Sequence, residues 1–103
     1  MEYRIDIQPR AQADLDEIYE RVVSLAPYRG LLWFERLESA ISALRTLPER
    51  NPVDARLADQ GERIHKLLFG KRPHQIRVYY VISAEIVHVL HVRHGRREPP
   101  DYL

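Results

Sequence analysis

The sequence predicts an α+β fold with the element order β-α-α-β-β-β, in which an N-terminal strand and a helical hairpin pack on one face of a small, largely antiparallel sheet. Two observations support this fold class. Apolar residues recur at helical spacing in two stretches within residues 9–47, and three strand-like runs follow between residues 63 and 93. With 103 residues, the chain has room for one hydrophobic core, so we expect a single domain over residues 1–103.

The N-terminal half has the pattern of one strand and two helices. Residues 3–7 alternate apolar and polar side chains, as a half-buried strand does, and Pro9 can occupy the first turn of a helix. We expect the first helix to stop at Pro27, with residues 28–30 as a short connection to a second helix over residues 31–47. Two amphipathic helices joined in this way predict an antiparallel hairpin.

The C-terminal half predicts a three-stranded meander of residues 63–69, 75–82 and 86–93. The loop of residues 49–62 that precedes it contains proline, glycine and mixed charges. We expect one helical turn in this loop, around residues 54–57.

The register of the last two strands decides which side chains meet on the sheet. A three-residue turn of residues 83–85 places Arg77 opposite His91 and collects the apolar side chains on one face. A two-residue turn would place Arg77 opposite Leu90 and mix the two faces. The pattern therefore favours the three-residue turn.

This register predicts a cluster of basic side chains on the face that the helices do not cover. We expect Arg77, His91 and Arg93 to gather there, because antiparallel sheets can leave one face at least partly solvated. Arg77 should face the surface, whereas partly buried ring packing is favoured over a catalytic role for His91. The polar tail that carries Arg96 and Arg97 departs from the same end of the sheet. Such a set of guanidinium groups is suited to a phosphate-bearing ligand.

Charge is distributed unevenly along the chain. Residues 1–62 carry eight arginines and twelve acidic residues, a net charge of −4, whereas residues 63–103 carry six arginines, two lysines and three acidic residues, a net charge of +5, together with all five histidines. This asymmetry predicts an acidic or polyanionic partner for the basic half. The absence of cysteine excludes disulfides and thiolate ligands, and the histidines lack a zinc-binding spacing, so we expect no metal or other cofactor. The first residues lack the layout of a secretion signal and no apolar run could span a membrane, so we expect a cytoplasmic protein.

Residues 76–82 (IRVYYVI), followed by residues 89–97 (VLHVRHGRR), resemble the RelE/ParE superfamily of toxins from type II toxin–antitoxin systems. The resemblance covers nearly the whole chain, and its specific part is an arginine- and aromatic-bearing strand followed by a strand that ends in His-Gly-Arg-Arg. It implies a toxin that a cognate antitoxin wraps and neutralises in a hetero-oligomer. RelE-like members of the superfamily cleave mRNA on the ribosome, whereas ParE-like members inhibit DNA gyrase, and the shared fold does not distinguish them.

The RelE-like roles, carried over to this chain, give a metal-independent endoribonuclease site. In such a site the 2′-hydroxyl of the substrate attacks, cations stabilise the charged phosphorane, and histidine or tyrosine side chains transfer protons. Together with the predicted sheet, the resemblance implies a catalytic set of Arg77, Arg97, Tyr102 and His91, and a substrate-binding set of Lys66, Arg93, Arg96 and His94.

Two further functions stay open beside the mRNA interferase. A ParE-like inhibitor of gyrase needs no catalytic group, because the basic tail and an apolar patch would serve as contacts to another protein. A small nucleic-acid-binding module would use Tyr79 and Arg77 on the open sheet to stack on bases, although the chain lacks the paired strand aromatics of an RNA-recognition motif.

Overall fold

The computed structural model describes residues 2–55, 57, 63–71 and 74–94. Within them the order of elements is β-α-α-β-β-β, which confirms the predicted fold class. The elements are β1 (Arg4–Ile7), α1 (Pro9–Leu25), α2 (Pro27–Ser42), β2 (His65–Phe69), β3 (Ile76–Ser83) and β4 (Ile86–His94), with short 3₁₀ turns at Ala43–Arg45 and Pro48–Arg50 between α2 and β2.

The boundary between the two helices differs from the prediction. α1 ends at Leu25, Ala26 separates the helices, and Pro27 is the first residue of α2 rather than the stop of α1. Proline suits this position because the first turn of a helix does not use the N–H that proline lacks. The short link brings the helices close together, since a Cβ atom on Gly30 would lie 2.2 Å from the Val22 carbonyl oxygen.

The four strands form one mixed sheet in the order β1-β4-β3-β2. β2, β3 and β4 form the predicted antiparallel meander, and β1 adds to the outer edge of β4 as a parallel strand. A parallel neighbour requires a long crossover, which the segment containing the helical hairpin provides.

The turn between β3 and β4 has two residues, so the predicted three-residue turn is wrong. Ser83 pairs with Ile86, which leaves Ala84 and Glu85 as the turn. Ala84 has a φ of 55°, the left-handed conformation that tight hairpin turns use to match the twist of their strands.

A β-bulge further along the hairpin restores the alternation of the two faces. Tyr80 pairs with Val89 but Tyr79 pairs with His91, so Leu90 is inserted between the two pairs. A bulge places two residues of one strand opposite one residue of its partner. The apolar residues of β3 and β4 therefore share a face despite the shorter turn.

The main hydrophobic core lies between the helical hairpin and one face of the sheet. Its fully buried members alternate along the strands and recur at helical spacing along the helices. They are Ala11, Leu15 and Ile18 from α1, Phe34, Leu37 and Ile41 from α2, Leu44, and Ile76, Val78, Tyr80, Val87, Val89 and Val92 from the sheet. Neither described helix combines the length and apolar composition that crossing a membrane requires.

The second face of the sheet, which was predicted to be at least partly open to water, is covered at its centre. Leu57 and Ile64 pack against Tyr79, which is 0% exposed. These residues form a second, smaller apolar cluster on the side of the sheet away from the helices.

The covering segment between α2 and β2 is held by backbone hydrogen bonds. The N–H of Leu57 donates to the carbonyl of Asp54 at 3.0 Å, which confirms a helical turn at this point. Val53 forms an antiparallel bridge with His65, and the N–H of Asp54 donates to the carbonyl of Ile64 at 2.8 Å. The segment therefore extends the sheet at the outer edge of β2 before it turns over the second face.

Candidate functional site

Arg77 lies in β3 on the face of the sheet away from the helices, as predicted, between core residues Ile76 and Val78. Its predicted exposure is wrong, because the residue is only 6% exposed. The guanidinium carbon lies 5.9 Å from the centroid of the Tyr79 ring. The alternation of the strand gives no sign of this burial.

The ends of β3 and β4 bring three of the predicted residues together. Arg77 pairs across the strands with Arg93 rather than with His91, because of the bulge. The Nη2 atom of Arg77 donates a hydrogen bond to the backbone carbonyl of His94 at 3.1 Å. Since directly opposed arginines repel each other, this carbonyl is a useful partner for the buried charge.

His91 is 5% exposed, which is deeper than the partly buried ring packing that the sequence favoured for it. Its Nδ1 atom lies 3.8 Å from an Oδ atom of Asp14 on α1. Burial lowers the pKa of the His91 imidazole; the Asp14 carboxylate acts in the opposite direction, and the neighbouring Arg93 and Arg10 lower the pKa further. The environment therefore favours the neutral imidazole.

Asp14 is a residue of this region that the sequence analysis missed. The pairing of β1 with β4 ends at Ile7 and Val89. Further along β4, the Asp14 carboxylate accepts the backbone N–H of Val92 at 3.0 Å. A side chain of α1 thus continues the hydrogen bonding where β1 stops. The sequence carries no signal for this contact, because it depends on how α1 crosses β4.

Lys66 belongs to a different part of the second face. It pairs with Tyr79 on the β2–β3 ladder, and its Nζ atom lies 3.5 Å from the buried carboxylate of Asp54. The lysine therefore holds the covering segment through an ion pair. Its predicted role in substrate binding stays a prediction.

Arg96, Arg97 and Tyr102 lie outside the described residues. The structure therefore leaves their predicted roles as predictions. The last described residue before them is His94, at the end of β4.

A polar network on the helix-facing side of the sheet involves Tyr80. Its hydroxyl donates to the carbonyl of Pro48 at 2.5 Å and accepts from the side-chain amide of Asn51 at 3.0 Å. Its ring stacks on that of His65, with centroids 5.2 Å apart. Burial raises the pKa of the Tyr80 phenol, while Asn51 and the charge of Arg50 oppose this shift. The network joins the segment after α2 to the sheet.

A cleft of about 400 Å³ lies between the helical hairpin and the end of β4. Acidic Asp14 and Glu17 line it and have partners within the chain. Its other lining residues include an apolar group, Ile18, Val22, Trp33, Ile76 and Val92, and an arginine group, Arg21, Arg29 and Arg93. Such an arrangement can accept an apolar side chain that is accompanied by negative charge.

Several solved toxin structures share this fold. The chromosomal ParDE system from P. aeruginosa matches with a TM-score of 0.70 and 15% identity, over 89% of this chain and 95% of that chain. An arginine-to-alanine double variant of the E. coli toxin RelE in the free state matches with a TM-score of 0.62 and 18% identity, over 93% of this chain and 86% of that chain. The toxin–antitoxin complex RelBE2 from Mycobacterium tuberculosis matches with a TM-score of 0.57 and 21% identity, over 94% of this chain and 95% of that chain. At these identities the likeness concerns the fold.

The sequence itself supplies the evidence for the family. No curated protein sequence matches the chain significantly. The family model described as the ParE toxin of the type II toxin–antitoxin system parDE, however, matches residues 5–99, which is most of the chain. The protein therefore belongs to the ParE toxin family, and it is the toxin of a type II toxin–antitoxin system.

Proposed function

We propose that this toxin acts in the cytoplasm by binding DNA gyrase and inhibiting it, without catalysing a reaction. The observation that carries the proposal is the burial of two residues that an RNA-cleaving site would need to present to a substrate. Arg77 is 6% exposed and His91 is 5% exposed. The match of residues 5–99 to the ParE toxin model supports the same choice.

Inhibition by binding places fewer demands on this end of the sheet than RNA cleavage does. A general base must come within hydrogen-bond distance of the proton that it removes, and a guanidinium group must reach the charged phosphorane. An inhibitory interface needs complementary charge and a few well-packed anchor residues. Arg93 and His94, both partly exposed at the end of β4, can serve in such an interface together with the basic residues that follow them in the sequence.

The test compares the two activities of the superfamily with one purified protein. We expect the toxin to block supercoiling of a relaxed plasmid by gyrase and to leave mRNA intact in a translation reaction. We expect Arg93→Ala to raise the half-inhibitory concentration by about tenfold, because arginine is a frequent interface anchor. The control is Arg36→Ala on the exposed surface of α2, which should leave the half-inhibitory concentration unchanged. Cleaved mRNA with normal supercoiling would instead establish the RelE-like endoribonuclease.

We further propose that the cognate antitoxin places an acidic, amphipathic segment in the cleft between the helical hairpin and β4. Trp33 and Val22 contribute to an apolar lining, and Arg21, Arg29 and Arg93 lie among the residues around it. Both Arg21 and Arg29 are exposed. A segment with apolar side chains flanked by carboxylates would complement this surface, and a small number of desolvated anchors would supply most of its affinity.

Reversing one charge of the cleft tests this proposal without disturbing the core. We expect Arg21→Glu to weaken binding of the antitoxin encoded by the neighbouring gene by about tenfold, because like charges at an interface repel. Isothermal titration calorimetry measures the dissociation constant, and Arg36→Glu on the exposed surface of α2 is the matched control. Equal affinities of the two variants for the antitoxin would exclude the cleft as its binding site.

A further inference from the structure

Arg77 joins the interior of the sheet to the end of β4. Its side chain is almost fully buried, and its Nη2 atom donates to the carbonyl oxygen of His94 at 3.1 Å. The last pair of the β3–β4 ladder is Ile76 with His94. The guanidinium group therefore binds the backbone at the last β4 residue of the ladder that the structure describes.

We propose that Arg77 is a positioning residue, which holds the His94 end of β4, the strand that Arg96 and Arg97 follow in the sequence. This inference rests on the proposed function in one respect, namely that these two arginines contact the target. It assigns to Arg77 a role inside the protein, in place of the phosphate contact that the sequence suggested.

The surroundings of Arg77 suit a fixed anchor. The Tyr79 ring, 5.9 Å from the guanidinium carbon, is itself 0% exposed beneath Leu57 and Ile64. A side chain held on such a rigid neighbour loses little further freedom when it forms a hydrogen bond. The bond is also charge-assisted, which makes it stronger than a bond between neutral groups.

The opposed arginine makes this hydrogen bond more important. Arg93 pairs directly with Arg77 across the strands, and two like charges in this position repel each other. A buried guanidinium group is stable only when it is well hydrogen-bonded. The position of the His94 carbonyl is therefore coupled to the presence of the Arg77 charge.

The first experiment follows the end of β4 by NMR in the free toxin. Arg77→Met keeps an unbranched apolar stem in place of the arginine stem but removes the donors of the guanidinium group. We expect it to shift the His94 carbonyl resonance and to speed amide exchange of His94, with the core resonances of Val78 and Val87 unchanged. Unchanged His94 signals would overturn the proposal. Should Arg77→Met fail to fold, Arg77→Leu, which also lacks a donor, takes its place, and the same His94 signals decide.

The second experiment is a double-mutant cycle on gyrase inhibition. We expect Arg77→Met and Arg97→Ala each to raise the half-inhibitory concentration by about tenfold. If Arg77 acts through the tail, the double variant should be no weaker than Arg97→Ala alone, within about twofold. Multiplied effects would mean that Arg77 contacts the target directly, and would overturn its positioning role. A wild-type toxin that does not inhibit gyrase would refute the proposed function, while the NMR result would still decide whether Arg77 holds the end of β4.

Discussion

At the scale of single residues, the carboxylate of Asp14 joins α1 to the sheet. It accepts the N–H of Val92 at 3.0 Å, lies 3.5 Å from Nε of Arg10, and lies 3.8 Å from Nδ1 of His91. This carboxylate already accepts a backbone hydrogen bond and forms an ion pair with Arg10. It therefore only partly offsets the cost of burying a charged imidazole. His91 is consequently a neutral packing residue in the folded protein at neutral pH.

The state of His91 predicts how stability depends on pH. Its pKa in the folded protein is lowered, so the unfolded chain binds more protons than the folded protein below the ordinary histidine pKa of about 6.5. The stabilisation associated with neutral His91 is therefore present above that pH and is lost as the pH falls. We expect the melting temperature of His91→Gln to fall less than that of the wild type between about pH 7.5 and about pH 5.5.

Differential scanning fluorimetry across this pH range measures the effect. The matched control is His74→Gln, since His74 is exposed and its substitution should keep the pH dependence of the wild type. If His91→Gln and the wild type have parallel profiles, then His91 does not couple protonation to folding.

At the scale of elements, hydrophobic periodicity predicted the two helices and the four strands, but not all of their ends. Pro27 can either follow a helix or begin one. The sequence on each side of it is amphipathic, so local pattern alone could not choose. Gly30 is a clue that becomes clear only with the structure. A close approach of two helices favours a residue without Cβ, and Gly30 lies against the backbone of Val22.

The register of the β3–β4 hairpin could not be derived from alternation because two features compensate for each other. The two-residue turn at Ala84 shifts the pairing by one residue, and the bulge at Leu90 shifts it by one more in the same direction, so each side chain returns to its predicted face. Either feature alone would have mixed the faces. Together they bring Arg77 opposite Arg93, so the sequence placed Arg77 on the correct face but opposite the wrong partner.

The segment between α2 and β2 covers the centre of the second face, which the sequence analysis did not predict. A one-turn helix around Asp54 was predictable, but its docking on the second face was not. Docking of that kind depends on contacts distant in sequence, such as the ion pair between Lys66 and Asp54. The coverage of Tyr79 by Leu57 and Ile64 therefore could not be anticipated from the alternation of β3.

At the scale of the whole molecule, the sheet separates two apolar clusters of unequal size. The larger one lies beneath the helical hairpin, and the smaller one joins Leu57 and Ile64 to Tyr79 on the other side. Tyr79 and Tyr80 are adjacent in β3, and both are 0% exposed on opposite faces. The central strand of this small toxin is thus buried on both sides, which gives the basic end of the sheet a rigid support.

The smaller cluster should therefore contribute measurably to stability, and a pair of leucines on its face allows a matched test. Leu57 is 4% exposed and packs against Tyr79, whereas Leu68 on β2 is 48% exposed. We expect Leu57→Ala to lower the free energy of unfolding by about 2–4 kcal/mol, as burial of a leucine predicts. Leu68→Ala should change it by less than about 0.5 kcal/mol. Urea denaturation followed by circular dichroism measures both values, and similar small losses for the two variants would show that the segment around Leu57 is not anchored on the sheet. A large loss confined to Leu57→Ala would support the view that this segment shields Tyr79.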